Sequence, residues 1–403
     1  MDVTRILLLE NPHSCADDIF ARYGVEVVRI AGSLAEDELI EALDGVDMLG
    51  IRSKTNVTRR VIEASPRLAA IGAFCIGTNQ IDLEAASDHG IAVFNAPYSN
   101  TRSVVELAIG ELISLVRQIP AKNAALHQGV WEKTAAGSHE VRGKTLGIIG
   151  YGSIGSQLSI VAEALGMKVI FHDIAERLAL GNAVPVPLDE LLESADVVSL
   201  HIDGRPENTG YFDSEKFAKL KDGAIVLNLA RGHVMNLDAL REAVVSGRVA
   251  GAAVDVFPSE PLANGDPFSS TLAGLSNVIL TPHIGGSTLE AQESIGQFVA
   301  MKLMNYWRKG STDMSVNIPN IAASPTAESL HRVVWFHWNT PGALADVNRL
   351  FAEQHVNVTF QSLATGGEYG YMVTDTATDI PDSIIDELAH AKAHIRLRLL
   401  TRE

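Results

Sequence analysis

The run Thr145-Leu-Gly-Ile-Ile-Gly150-Tyr-Gly152-Ser-Ile-Gly155 decides the fold of this chain. A short apolar strand pattern, Thr145–Ile149, leads directly into Gly-x-Gly-x-x-Gly, and a helical pattern over Ile154–Leu165 follows. Strand, glycines and helix in that order are the βα turn of a dinucleotide-binding fold, which a lone glycine motif is not. Gly150 permits the tight turn, Gly152 lets the backbone approach a pyrophosphate, and Gly155 lets helix and strand pack closely. The helix N-terminus offers unpaired N–H groups and the positive end of a dipole to the phosphates. The next strand pattern, Met167-Lys-Val-Ile-Phe-His-Asp173, ends on an aspartate 18 residues after Gly155. A carboxylate there accepts hydrogen bonds from ribose hydroxyls and repels a 2′-phosphate, so NAD is expected over NADP.

Working outward, the β series continues through Lys168–His172, Val197–Ile202, Ala224–Asn228, Gly251–Val256 and Val278–Thr281. An earlier series occupies Arg5–Leu9, Val25–Ile30, Met48–Ile51, Leu68–Phe74 and Ile91–Phe94, with helices between, as at Glu36–Leu43 and Thr58–Ala64. Near-continuous apolar strands alternating with helices predict parallel sheets covered on both faces. A long helical pattern over Asn100–Gly129 bridges the two series. A second one, Glu290–Arg308, is placed to pack back on the first. Asn317–Pro325 reads as a linker. Beyond it the order strand, helix, strand, strand, helix, strand is the ferredoxin-like βαββαβ pattern. The expected fold class is therefore α/β. A Rossmann NAD domain (100–287) is inserted in a flavodoxin-like substrate domain (1–99 and 288–318), and a ferredoxin-like domain occupies 330–403.

The 403 residues carry 32 Lys and Arg against 49 Asp and Glu, a formal charge of −17. That acidic balance argues against a general nucleic-acid binder, which needs clustered cations, and against attraction to an anionic membrane. A small anionic ligand is not excluded, because it meets one pocket and not the whole chain. Cys15 and Cys75 make neither a disulfide framework nor a zinc spacing, and no apolar run reaches the ~18 residues of a membrane span. A cytoplasmic protein is expected.

Three polar residues fall at strand ends or in the following loops of the second series: Arg231 in Val226-Leu-Asn-Leu-Ala-Arg-Gly232, Glu260 in Phe257-Pro-Ser-Glu-Pro261, and His283 in Leu280-Thr-Pro-His-Ile-Gly-Gly286. Open α/β sheets bind ligands beyond the carboxyl ends of their strands. Oxidising a secondary alcohol requires a base for the hydroxyl proton, and histidine titrates in the right range. A carboxylate on its other ring nitrogen fixes the tautomer, and a guanidinium holds a substrate carboxylate in a bidentate fork.

These stretches, together with Ile51-Arg-Ser-Lys-Thr55, Ala73-Phe-Cys-Ile-Gly-Thr-Asn-Gln80 and Phe94-Asn-Ala-Pro-Tyr-Ser-Asn-Thr-Arg-Ser103, resemble the D-2-hydroxyacid dehydrogenase family, and within it the bacterial branch with one C-terminal ACT domain. The likeness covers nearly the whole chain. It implies that His283 is the acid/base, Glu260 its partner and Arg231 the anchor for substrate carboxylate and carbonyl. It further implies cofactor contacts from Gly150, Gly152, Ser153, Ile154, Gly155, Asp173, His201, Leu229, Ala230, Arg231, Asp255, His283, Gly285 and Gly286. Arg52, Ser53, Lys54 and Asn100 fall where the family binds substrate. Trp131 matches an interface tryptophan of a homo-oligomer, a tetramer by resemblance, and Lys133 lies near it. The expected reaction is NAD-dependent oxidation of 3-phosphoglycerate to 3-phosphohydroxypyruvate, the first step toward L-serine.

The turn Phe336-His-Trp-Asn-Thr-Pro-Gly342 resembles the ACT loop that binds free amino acids. His337, Asn339 and Asn357 occupy the matching positions for an L-serine effector. Two rival readings share these residues: a reductase of another 2-oxo acid such as 2-oxoglutarate or hydroxypyruvate, and a non-catalytic NAD-sensing regulator.

Overall fold

A computed structural model describes residues 3–261, 265–325 and 328–401. By its contacts the chain divides into two compact units. One holds the residues up to 99 together with those from 292 onward, and the other is residues 100–291.

In the first unit, β1 (Arg5–Leu9), β2 (Glu26–Ile30), β3 (Met48–Ile51), β4 (Ala70–Ala73) and β5 (Ala92–Phe94) form a parallel sheet of order β2-β1-β3-β4-β5. This is the flavodoxin-like order. β1, β3, β4 and β5 are buried almost throughout, as strands covered by helices on both faces must be.

The second unit carries β6 (Thr145–Ile149), β7 (Lys168–His172), β8 (Val184–Pro185), β9 (Val197–Leu200), β10 (Ala224–Asn228), β11 (Val249–Val254) and β12 (Val278–Leu280). They form one parallel sheet of order β12-β11-β10-β9-β6-β7-β8. Strand order reverses between β6 and β9, so the crevice at which doubly wound sheets bind ligands lies beyond the ends of those two strands.

The remaining strands, β13 (His331–Trp338), β14 (Val358–Gly366), β15 (Tyr369–Thr376) and β16 (His394–Thr401), form an antiparallel sheet of order β14-β15-β13-β16. The helices Ala343–Glu353 and Asp382–Ala389 complete the βαββαβ order. Side chains alternate between strand faces. Val333, Trp335 and Met372 pack with the two helices, whereas Val334, Phe336, Tyr371 and Val373 join a core with Val299, Leu303 and Tyr306 of the helix Leu289–Lys309. Both faces are therefore buried, and β13 reads apolar almost without interruption.

Two expectations change. The helical pattern over 100–129 is broken into Thr101–Val116 and Ile119–His127, because Gln118 takes φ +55 and Pro120 is tolerated only in the first turn of a new helix. The stretch 317–325 has no regular structure, but it is clamped. The Asn317 side chain accepts from Val93 N–H and donates to Ile91 O, Ile321 N–H donates to Thr312 Oγ1, and Ile318, Ile321 and Ala323 are buried. Among the described residues no helix is long and apolar enough to cross a membrane.

Candidate active site

The glycine turn behaves as its residues dictate. Gly150 takes φ +93, and a Cβ there would stand 2.6 Å from the His201 carbonyl oxygen, so only glycine fits between β6 and β9. A Cβ on Gly155 would stand 2.3 Å from Gly150 O, which makes this glycine the condition for the helix Ser153–Ala164 to approach β6. Gly152 is different: nothing lies within 4 Å of its would-be Cβ, and as N-cap of that helix it supplies no side-chain cap. An open glycine before uncapped N–H groups fits a pyrophosphate. Asp173 accepts from Tyr151 N–H and Ala175 N–H at 2.8 and 2.9 Å, with Arg177 at 3.5 Å, so it ties the glycine turn to the end of β7. The His201 ring is enclosed beside this turn. It meets Ser199 Oγ at 2.8 Å, its Nδ1 has no partner among the described residues, and burial pushes its pKa down to about 4.

Arg231, Glu260 and His283 gather at the carboxyl ends of β10–β12. His283 Nδ1 is 2.7 Å from Glu260 Oε2, while Glu260 Oε1 accepts from Phe257 N–H at 3.0 Å. The hydrogen bond that the ring donates to Glu260 holds the His283 pKa above its ordinary value, against the opposing effect of burial. Burial pushes Glu260 up, but the bonds from His283 and Phe257 N–H and the nearby Arg231 charge outweigh it, so its carboxyl lies below the usual range. The paired ring leaves Nε2 for a substrate proton. Arg231 Nη1 donates to Ala230 O at 2.7 Å.

His283 itself sits at φ +53, which costs a non-glycine residue about 1–3 kcal/mol unless its surroundings impose it. Asp255 imposes it. Its backbone oxygen accepts His283 N–H at 2.8 Å. Its carboxylate takes Thr281 Oγ1 at 2.7 Å, Ile284 N–H at 2.8 Å and Gly285 N–H at 2.8 Å. Asp255 therefore holds the histidine loop with both oxygens. Ser103 Oγ donates to Gly285 O, and Asn100 lies against Gly286 with its Oδ1 unpartnered among the described residues.

In the first unit Arg52, Ser53 and Lys54 form a loop at the end of β3 that is pinned from two sides. Glu10 accepts the N–H groups of Lys54 and Thr55 at 3.0 and 2.8 Å, and Gln80 Nε2 donates to Arg52 O at 2.6 Å. Neither Glu10 nor Gln80 announces itself in the sequence as part of this loop, although Gln80 closes a stretch of family likeness. His337 and Asn339 line one cavity of about 460 Å³ with Thr340, Asn348 and Leu363, whereas Asn357 is exposed and outside that lining. His337 Nδ1 meets Trp338 O at 2.9 Å, Nε2 has no partner among the described residues, and burial lowers its pKa. Trp131 is 79% exposed, and Lys133 is exposed as well.

A parallel doubly wound sheet with this glycine turn, and an arginine beside a carboxylate-paired histidine at its carboxyl edge, defines the nicotinamide-dependent dehydrogenases of 2-hydroxy acids as a class. Residues 109–285 match the NAD-binding domain of the D-isomer specific 2-hydroxyacid dehydrogenases. The chain is 49% identical to a D-3-phosphoglycerate dehydrogenase of Haemophilus influenzae, covering 98% of this chain and 97% of that one. It is 47% identical to the Escherichia coli protein of the same name, covering 99% and 98%. The chain belongs to the D-3-phosphoglycerate dehydrogenase branch of the D-isomer specific 2-hydroxyacid dehydrogenase family. Among solved structures, D-2-hydroxyisocaproate dehydrogenase superposes with a TM-score of 0.71 at 26% identity, covering 78% of this chain and 100% of that one. D-lactate dehydrogenase of Aquifex aeolicus, complexed with NAD and lactic acid, gives 0.65 at 26%, covering 75% and 95%.

Proposed function

We propose that the protein oxidises C2 of 3-phosphoglycerate to 3-phosphohydroxypyruvate with NAD, the first step of L-serine biosynthesis. The observation that carries this reading is near-half identity, over almost the full length, to proteins named for that reaction. Bound at the open glycine turn, NAD supplies the hydride acceptor. The protein's own residues do the rest. Arg231 holds the substrate carboxylate in a bidentate fork and polarises C2–O. Neutral His283 takes the C2 hydroxyl proton on Nε2, and Glu260 stabilises the imidazolium that results. Arg52, Ser53, Lys54 and Asn100 hold the phosphate end, so the anion is met by local cations in a chain of charge −17. Gly150, Gly152, Ser153, Ile154, Gly155, Asp173, His201, Leu229, Ala230, Gly285 and Gly286 form the cofactor side.

The C-terminal βαββαβ segment acts as an ACT domain that binds L-serine through His337 and Asn339. Asn357 completes the site from a neighbouring copy in a homo-oligomer, a tetramer, whose contacts include Trp131. Neither Cys15 nor Cys75 is joined in a disulfide among the described residues, for which a reducing cytoplasm is the fitting compartment.

Steady-state NADH formation over a panel of 2-hydroxy acids, with and without L-serine, tests the reading, together with 2-oxoglutarate reduction in reverse. Arg52→Ala is expected to raise KM for 3-phosphoglycerate about tenfold or more, the value of one charge-assisted hydrogen bond, and to spare unphosphorylated substrates. Equal loss on both overturns the phosphate role. Indifference of the native enzyme to 3-phosphoglycerate overturns the substrate assignment.

A further inference from the structure

Thr281 stands between two carboxyl groups. Its Oγ1 lies 2.7 Å from Asp255 Oδ1 and 3.3 Å from Glu111 Oε1. A hydroxyl has one proton and cannot donate to both. Asp255 already accepts two backbone N–H groups and takes the shorter contact, so it is the ionised partner and receives the Thr281 proton. Glu111 then bonds to Thr281 only by donating a proton of its own. Its surroundings agree: Glu111 is 4% exposed, on the helix face it shares with Val104, Ala108, Leu112 and Leu115, and its Oε2 has no partner among the described residues.

We propose that Glu111 is a positioning residue that works as a neutral carboxylic acid, donating through Thr281 to Asp255 and so fixing the loop that carries His283. When Glu111 ionises, two carboxylates compete for one hydroxyl proton and the chain of donors breaks at the loop.

Burial, then the Asp255 charge, pushes the Glu111 pKa up to about 7. Among the described residues no other charge is set against it. On its own helix Arg102 and Glu106 pair with each other. On the helix Ser153–Ala164, Glu163 turns to Asn182 N–H, and on Ile119–His127 Lys122 reaches Thr134 O. The other titratable group there is His127. β10, β11 and β12 carry no titratable side chain. Asp255 follows β11, with His283 beyond it. The positioning role is present while Glu111 holds its proton and is lost as pH rises through about 7.

The inference rests on the dehydrogenase reading, so its test has a readout besides turnover. Oxidation needs neutral His283, whose titration raises activity with pH; a fall above about pH 7 therefore belongs to another group. Glu111→Gln replaces the acid with an amide donor. It is expected to keep kcat within about twofold below neutrality and to remove the alkaline fall of the native enzyme. Thr281→Val cuts the link with Glu111 in place, and is expected to lower kcat about tenfold with KM for substrate changed far less, the signature of a misplaced base. Independently of turnover, the infrared difference spectrum of the native protein across pH 7 should lose a protonated-carboxyl C=O band that Glu111→Gln lacks. If the native protein turned over no 3-phosphoglycerate, the functional reading would fail and this band would still decide Glu111. An alkaline fall unchanged in Glu111→Gln, or no such band in the native protein, overturns the proposal.

Discussion

At the scale of single residues, His283 is set by two different partners. Glu260 raises its pKa, and Asp255 imposes its backbone conformation. The sign of the first effect is testable. On the proposed mechanism oxidation speeds up as His283 loses its proton, so the acid limb of the native profile is expected above the ordinary histidine value of 6.5. Glu260→Gln keeps a ring partner but removes the charge, so that limb should move to lower pH while kcat at its optimum falls about 10²-fold or more. A pH profile of kcat/KM measures both, and a limb unmoved in Glu260→Gln removes the carboxylate from the role. Arg231, Glu260 and His283 were legible in the sequence because each follows a strand whose end could be read. Glu111 left a fainter trace: a charge within an apolar helical stripe, which says that the residue is buried but not what it meets. Glu10 left none, and Gln80 and Thr281 only their places in stretches of family likeness: Glu10 and Gln80 act on loop backbone that the fold brings to them, and Thr281 on carboxyl groups far away in sequence.

Elements were legible where burial is uniform, and not where an exception rules. β1, β3, β6, β7 and β10 were read to the residue or nearly so from apolar runs. β8 was not, being two exposed residues, one of them a proline, paired only with β7. The break at Gln118 was hidden because the helix after it, Ile119–His127, buries no residue and so has no face of its own to mark its start; only the left-handed residue and Pro120 reveal the corner. The glycine turn shows the opposite case, in which the pattern dictates contact distances. Gly155→Ala would place a methyl 2.3 Å from Gly150 O, a backbone atom that cannot swing aside, so the helix Ser153–Ala164 must lift from β6. NAD binding measured by titration calorimetry should weaken about tenfold or more, since phosphate recognition depends on that helix end. Gly152→Ala meets no protein atom, so any loss of affinity there is the ligand's own clash. If Gly155→Ala bound NAD as the native protein does, the account of the turn would be wrong.

At the scale of the whole molecule, the two-faced character of the C-terminal sheet outweighs the linker that the sequence suggested. Composition over 317–325 marks a linker, but composition cannot show that the far face of the following sheet is already committed. Val334, Phe336, Tyr371 and Val373 share a core with Val299, Leu303 and Tyr306. Polar ties reinforce it: Arg396 donates to Leu68 O, Arg398 to Tyr306 O and Trp307 O, Tyr371 Oη to Gly310 O, and Tyr369 Oη to Asp88. Within the sheet the buried pair Arg332–Asp375 is closed by Ser329, Lys309 O and Ala323 O. Asp375→Asn leaves the Arg332 charge buried and half-paired, which should cost about 3–5 kcal/mol and appear as a lowered melting temperature. Deleting everything from residue 330 is the harsher test. Four apolar side chains would leave the core, at about 1.5–3 kcal/mol each, against a total stability of about 5–15 kcal/mol for a typical domain. The exposed helix Leu289–Lys309 should then drive aggregation, with little soluble dehydrogenase recovered. A domain hung on a free linker would instead leave a monodisperse, active protein with an unchanged melting temperature, and that outcome would show that the shared core contributes nothing to the rest of its unit.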